Sequence, residues 1–200
     1  MELDRRLILN GIVATGLVGL PAGTSLASRA LASDDGEVGL PKQRTIALVN
    51  DATEQSTFLQ GIAATPQGTT VEIIRADFSV DFVQNLKRLL CSSPPVHIIG
   101  LVDDGTGAFI IQMARATGAR LPWLAQHAAR GGKPSHHAMN AGSSDLASQS
   151  AFADAQSWPA ALGLMLTLFD GGHATAALSG VSRTRRPPLT GTFVSFLIQS

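Results

Sequence analysis

The chain has 200 residues, of which 44% are hydrophobic and 15% charged, and its formal net charge is zero. That composition excludes a disordered polymer and supplies core material for a single domain. Balanced charge, no Tyr and only 5% aromatic residues leave no basic stripe lined with stacking rings, so nucleic acid is excluded as a partner.

Residues 1–32, MELDRRLILNGIVATGLVGLPAGTSLASRALA, read as a signal peptide and stand outside the fold. Arg5 and Arg6 open it, an uncharged stretch runs from Leu7 to Gly23, and Ala30-Leu31-Ala32 gives a small-x-small cleavage pattern before Ser33. The Arg-Arg pair directly ahead of Leu7-Ile8-Leu9 resembles a twin-arginine (Tat) signal, with Ile8 and Asn10 in place of that pattern's aromatic and lysine. The resemblance implies a periplasmic or secreted protein that meets the membrane only during export. Glycines and Pro21 make the segment a poor spanning helix. The single cysteine, Cys91, lies far from the leader, so neither a lipid anchor nor an intramolecular disulfide is expected, and Cys91 reads as a small buried hydrophobe.

Residues 33–43 are polar and punctuated by Gly and Pro, a linker to a single α/β domain over 44–200. Short apolar runs at 44–50, 70–77, 96–102 and 121–126 read as four strands. Between them, Thr53–Ala64, a segment capped by Ser79, and Gly107–Thr117 carry apolar residues at helical spacing. Alternating strands and helices predict crossovers on a mainly parallel sheet covered on both faces, a three-layer fold that is flavodoxin-like or half of a type-I periplasmic binding fold. Residues 128–150 read as a surface loop, Ser157 before Trp158-Pro159 as a helix start ended by Gly171-Gly172, and 191–199 as a last strand. Arg183, Arg185 and Arg186 form one basic knot, read as a solvated loop.

The stretch IIGLVDDGTGAF, 98–109, carries the densest chemistry. It lacks the lysine of a P-loop, and it matches only two glycines of a dinucleotide fingerprint, because Ile110 fills the third position. Asp104-Gly105-Thr106 matches half of the haloacid-dehalogenase phosphatase motif, but Val102 stands where the nucleophilic aspartate belongs. No Gly-x-Ser-x-Gly elbow occurs.

What remains is topological, since open parallel sheets bind ligands beyond the carboxyl ends of their strands. Four such ends carry Asn50-Asp51, Asp77, Asp103-Asp104 and Gln126-His127, with Gly105, Thr106 and Gly107 opening a helix beside them. One of the two adjacent acids is expected to cap that helix and the other to face a ligand together with His127. His97 reads as a satisfied core histidine, His136-His137 as loop residues able to reach the rim, and His173 as lying just past a helix end.

Residues 96–124, VHIIGLVDDGTGAFIIQMARATGARLPWL, resemble one stretch of type-I periplasmic solute-binding and receptor domains. There a buried strand ends in a ligand-contacting loop, and a Gly-x-x-x-Pro turn follows the next helix. The resemblance implies a small-molecule ligand. Two readings stand: an exported ligand-binding or accessory protein, whose partner is a small molecule or another protein, and an exported metal-dependent hydrolase using Asp103, Asp104 and His127. No cofactor is named by any motif.

Overall fold

Among the described residues six strands form one sheet in the order β2-β1-β3-β6-β4-β5. They are β1 (Thr45–Val49), β2 (Glu72–Arg75), β3 (His97–Asp103), β4 (Arg120–Arg130), β5 (Lys133–Ala138) and β6 (Gly191–Gln199). Six α-helices among the described residues accompany them: α1 (Asp51–Glu54), α2 (Phe58–Ala63), α3 (Val80–Leu90), α4 (Asp104–Ala116), α5 (Ser150–Ala153) and α6 (Trp158–Thr167). The structure is a computed structural model and describes residues 44–140, 150–169 and 186–200. The leader, the linker, the Gly171-Gly172 stop, His173, Arg183 and Arg185 lie outside the described residues. Among the described residues no helix is long and apolar enough to cross a membrane.

The α/β class holds, but the sheet is mixed rather than mainly parallel. β1 pairs in parallel with β2 and β3, whereas β6 is antiparallel to β3 and β4, and β5 is antiparallel to β4. β4 therefore points the same way as the first three strands, yet β6 is inserted between it and β3. The reason lies in the last strand, whose residues Phe193 to Ile198 are all buried. A strand apolar on both faces stabilises the fold most in the middle of a sheet.

Strand alternation divides the core between two faces. Ala47, Val49, Ile99, Leu101, Trp123 and Leu197 pack with Phe58 and Ile62 of α2 and Trp158 and Leu162 of α6. Ile46, Leu48, Ile98, Val102, Phe196 and Ile198 pack with Phe82 and Leu86 of α3 and Ile110 of α4. Helix α6 is buried from Trp158 to Leu166, as a helix apolar all round must be. It approaches α2 so closely that a Cβ on Gly61 would lie 1.9 Å from the Ala160 carbonyl oxygen.

Local chemistry explains three departures from the expected boundaries. The single helix expected over Thr53–Ala64 is split, because Ser56 Oγ accepts from Phe58 N–H (3.2 Å) and Thr57 Oγ1 donates to the Gln156 carbonyl (3.0 Å). Such side chains compete with the helical ladder. Helix α4 begins at Asp104 rather than Gly107, because Asp103 is its cap. The start of the expected 128–150 loop is instead a β-hairpin: β4 runs to Arg130, and Gly131 (φ 57°) and Gly132 (φ 75°) form the two-residue turn into β5. Cys91 follows α3 and is exposed, not a buried hydrophobe.

Candidate functional site

The parallel arm of the sheet assembles the rim. Asn50, directly after β1, is buried, and its side-chain amide donates to Asp103 Oδ2 at the end of β3. Asp103 also accepts from Thr106 N–H through Oδ1 (2.9 Å) and from Thr106 Oγ1 through Oδ2 (3.0 Å), capping α4. Thr53 Oγ1 donates to the Leu101 carbonyl (2.6 Å), which ties α1 to β3. Sequence reasoning placed these strand ends together, and they are together.

Between the ends of β1, β2 and β3 lies a crevice of about 350 Å³, lined by Asn50, Asp51, Arg75, Ala76, Asp77, Phe78, Asp103 and Thr106. Arg75, at the end of β2, is paired with Asp51 and lies 3.7 Å from Glu54 Oε2. The hydrogen bond and charge of Asp51 raise its guanidinium above the usual arginine value. Hydrogen bonds from Ser79 hold the Asp77 carboxyl below the usual range; the Ser79 amide reaches its Oδ1 at 3.0 Å. Ser79 Oγ in turn accepts from Phe82 N–H (3.1 Å) and caps α3. Phe78, held between these groups, has φ 57°, a left-handed conformation in which a bulky residue is an outlier. Its ring is half exposed and meets Phe109 of α4 edge to face, with centroids 5.4 Å apart.

Arg75 and Phe78 were missed in the sequence. Arg75-Ala76-Asp77 sits at the carboxyl end of a strand, so position alone pointed to them. Nothing in the residue types announces a positive φ at Phe78.

The fourth strand end is corrected. Gln126 and His127 are interior to β4, and alternation sends their side chains to opposite faces. Gln126 Nε2 donates to Asp104 Oδ1 (3.4 Å), so this pair stays near the start of α4. His127 is fully buried on the other face, stacked on Trp158 with ring centroids 4.9 Å apart. Asp103, Asp104 and His127 therefore form no common site. Among the described residues no group of three or more His, Cys, Asp or Glu side chains could hold a metal ion.

The glycines are corrected in part. Gly105 is exposed, and the nearest atom to a Cβ built there is Asp103 Oδ1 at 3.4 Å. Gly107 is buried against β6, where a Cβ would lie 2.7 Å from Val194 Cβ; it serves packing, not a ligand. His97 is a core histidine, as expected, with Gln199 Nε2 3.1 Å from its Nε2. His137 is exposed, and Arg186 Nη1 donates to the Gln55 carbonyl (2.9 Å).

His127 Nε2 lies 2.7 Å from Ser195 Oγ, the atoms of an activated serine. Both residues are fully buried, so no substrate reaches them as they stand. Burial, and after it the neighbouring His136, push His127 down to about 3. Burial also lowers His136, against the opposing effect of the Phe152 carbonyl.

No protein-family model matches the chain, and neither does any curated protein or solved structure.

Proposed function

We propose that this chain is an exported single-domain ligand-binding or accessory protein, and that its small-molecule ligand lies in the crevice at the carboxyl ends of β1, β2 and β3. The observation that carries this reading is Phe78. A bulky residue at positive φ costs on the order of 1–3 kcal/mol, and such outliers concentrate at binding sites. Here it presents a half-exposed aromatic face to a crevice of about 350 Å³.

The lining selects a ligand class. Asp51, Asp77 and Asp103 face a single cation, Arg75, which Asp51 and Glu54 already engage. A carboxylate or phosphate ligand would meet uncompensated negative charge. A small organic cation would set its charge among these carboxylates and beside Phe78. A cation over the ring face gains cation–π attraction of about 0.5–1 kcal/mol at such exposure, and a flat apolar part would cover the rest of the ring. The resemblance of residues 96–124 to type-I periplasmic solute-binding domains supports a small-molecule ligand. The leader supports export by the Tat route, with cleavage after Ala32.

The test is a thermal-shift panel of aromatic amines, aliphatic amines and isosteric carboxylates on the purified chain. An amine that binds the folded state raises the melting temperature by mass action, and Phe78→Ala abolishes the rise. A panel in which carboxylates stabilise and amines do not contradicts the reading.

A further inference from the structure

The second polar cluster lies on the face of the sheet covered by α2 and α6, among residues none of which lines the crevice. His127 on β4 and His136 on β5 are register partners, and their Nδ1 atoms are 2.7 Å apart. The two ends of this chain of contacts fix the direction of every hydrogen bond in it. At one end Trp123 Nε1–H donates to Ser195 Oγ (2.9 Å). At the other the Phe152 carbonyl, which can only accept, takes the proton of His136 Nε2 (2.8 Å). In its neutral form His136 then has only a lone pair on Nδ1, so His127 Nδ1–H must donate to it. His127 Nε2 is left as an acceptor for the Ser195 hydroxyl (2.7 Å). The result is one unbroken line of donation, Trp123 to Ser195 to His127 to His136 to Phe152, with both rings neutral.

One added proton breaks a hydrogen bond of this line wherever it is placed. On His136 Nδ1 it would face the Nδ1–H of His127. On His127 Nε2 it would donate to Ser195 Oγ instead, taking away the acceptor of the Ser195 hydroxyl proton and leaving a charged ring fully buried. Among the described residues nothing nearby offers compensating charge. The groups facing the pair are Ser195 and Phe193 of β6, Trp158 of α6 and Phe152 of α5, all uncharged. Each histidine is the other's titratable neighbour. Arg130 and Lys133 at the hairpin tip, His137 beside His136, and Asp154 after α5 are exposed.

The two rings differ in freedom to move. His127 is enclosed between strands and Trp158, whereas His136 is only partly buried and sits on an edge strand that pairs with β4 alone. That strand, Lys-Pro-Ser-His-His-Ala, holds no large aliphatic residue, and its inward positions are Pro134, His136 and Ala138. His136 is therefore the side chain of β5 that joins the buried cluster, linking the strand to His127 and, through the Phe152 carbonyl, to α5. Asn140, beyond the strand end, binds the Leu121 carbonyl and the Leu124 N–H of β4.

We propose that the His127–His136 pair is an acid-sensitive latch: protonation of His136 breaks the line of hydrogen bonds and releases β5 and α5 from the sheet while the remaining strands stay folded. The sign follows from linkage. Both rings have folded values below the ordinary histidine value of 6.5, so the latch is fully closed above that pH and weakens as pH falls below it.

The only two tryptophans of the chain, Trp123 and Trp158, both touch this cluster and report on it. Tryptophan emission and far-UV circular dichroism of the full-length chain would be followed together from neutral to acidic pH. The expected result is a reversible change in tryptophan emission at a higher pH than the loss of far-UV signal, and its absence in His136→Gln. Coincident loss of both signals, or an unchanged early step in His136→Gln, overturns the proposal. Should that variant fail to fold, ring-nitrogen NMR shifts of the unaltered chain decide. Neutral rings with the proton on His127 Nδ1 and His136 Nε2 support the latch, and the opposite tautomers or a charged ring at neutral pH refute it.

Discussion

The side-chain amide of Asn50 donates to the carboxylate of Asp103, joining the ends of the parallel strands β1 and β3 through the residue that caps α4. One carboxylate oxygen holds the helix amide and the other holds the neighbouring strand, so the floor of the crevice and the start of the helix are a single unit.

The two adjacent acids should accordingly behave differently. Asp103→Ala removes the cap and leaves the buried Asn50 amide only its long contact to Thr106 Oγ1 (3.4 Å), with an expected loss of about 1–2 kcal/mol. Asp104→Ala removes only an exposed side chain with a 3.4 Å contact to Gln126, and should cost less than about 0.5 kcal/mol. Urea unfolding checks this through the midpoints, provided the slopes are unchanged.

Gly105→Ala and Gly107→Ala separate a rim glycine from a packing glycine. A methyl at Gly105 meets nothing closer than 3.4 Å, whereas at Gly107 it meets Val194 Cβ at 2.7 Å. Gly105→Ala is expected to unfold close to the parent, or slightly above it. Gly107→Ala should lose about 1–3 kcal/mol through overpacking, measured in the same unfolding series.

Ser195→Ala strips Trp123 Nε1 of its acceptor and His127 Nε2 of its donor inside the sheet. Each orphaned buried group costs about 1–3 kcal/mol, so a loss of about 2–6 kcal/mol is expected. Amine binding at the crevice should be unaffected in the fraction that remains folded, because Ser195 does not line it. Loss of binding at unchanged stability would give Ser195 a role that its burial denies it here.

The first three strands, α3 with its Ser79 cap and the convergence of Asn50, Asp51, Asp77 and Asp103 were legible, because each rests on local patterns: apolar runs, caps and the polarity of strand ends. The position of β6 was not, since no local signal says where a buried strand inserts, and its insertion turned a mainly parallel sheet into a mixed one. The β4–β5 hairpin was written in Arg130-Gly131-Gly132-Lys133, but β5 is too polar and small to read as a strand. His127 was assigned to the rim because β4 was ended too early. Two more residue pairs in β4 would have put it inside the strand, facing away from Gln126.

Export is tested by the mass of the mature chain. Cleavage after Ala32 predicts Ser33 as the first residue of the periplasmic protein, and Arg5-Arg6 replaced by Lys-Lys should block its appearance if the Tat route is used. Unchanged export of that variant would assign the leader to the general secretory route.

The central claim is that a small organic cation binds against Phe78 in the crevice between β1, β2 and β3. The measurement that reaches it most directly is a backbone-amide NMR titration of the chain with benzylamine, with benzoate as the anion of similar shape. The account predicts benzylamine-induced shifts concentrated at residues 50–51, 75–78 and 103–106, with little response to benzoate. Equal shifts from benzoate, shifts centred elsewhere on the fold, or no response at those residues would contradict it.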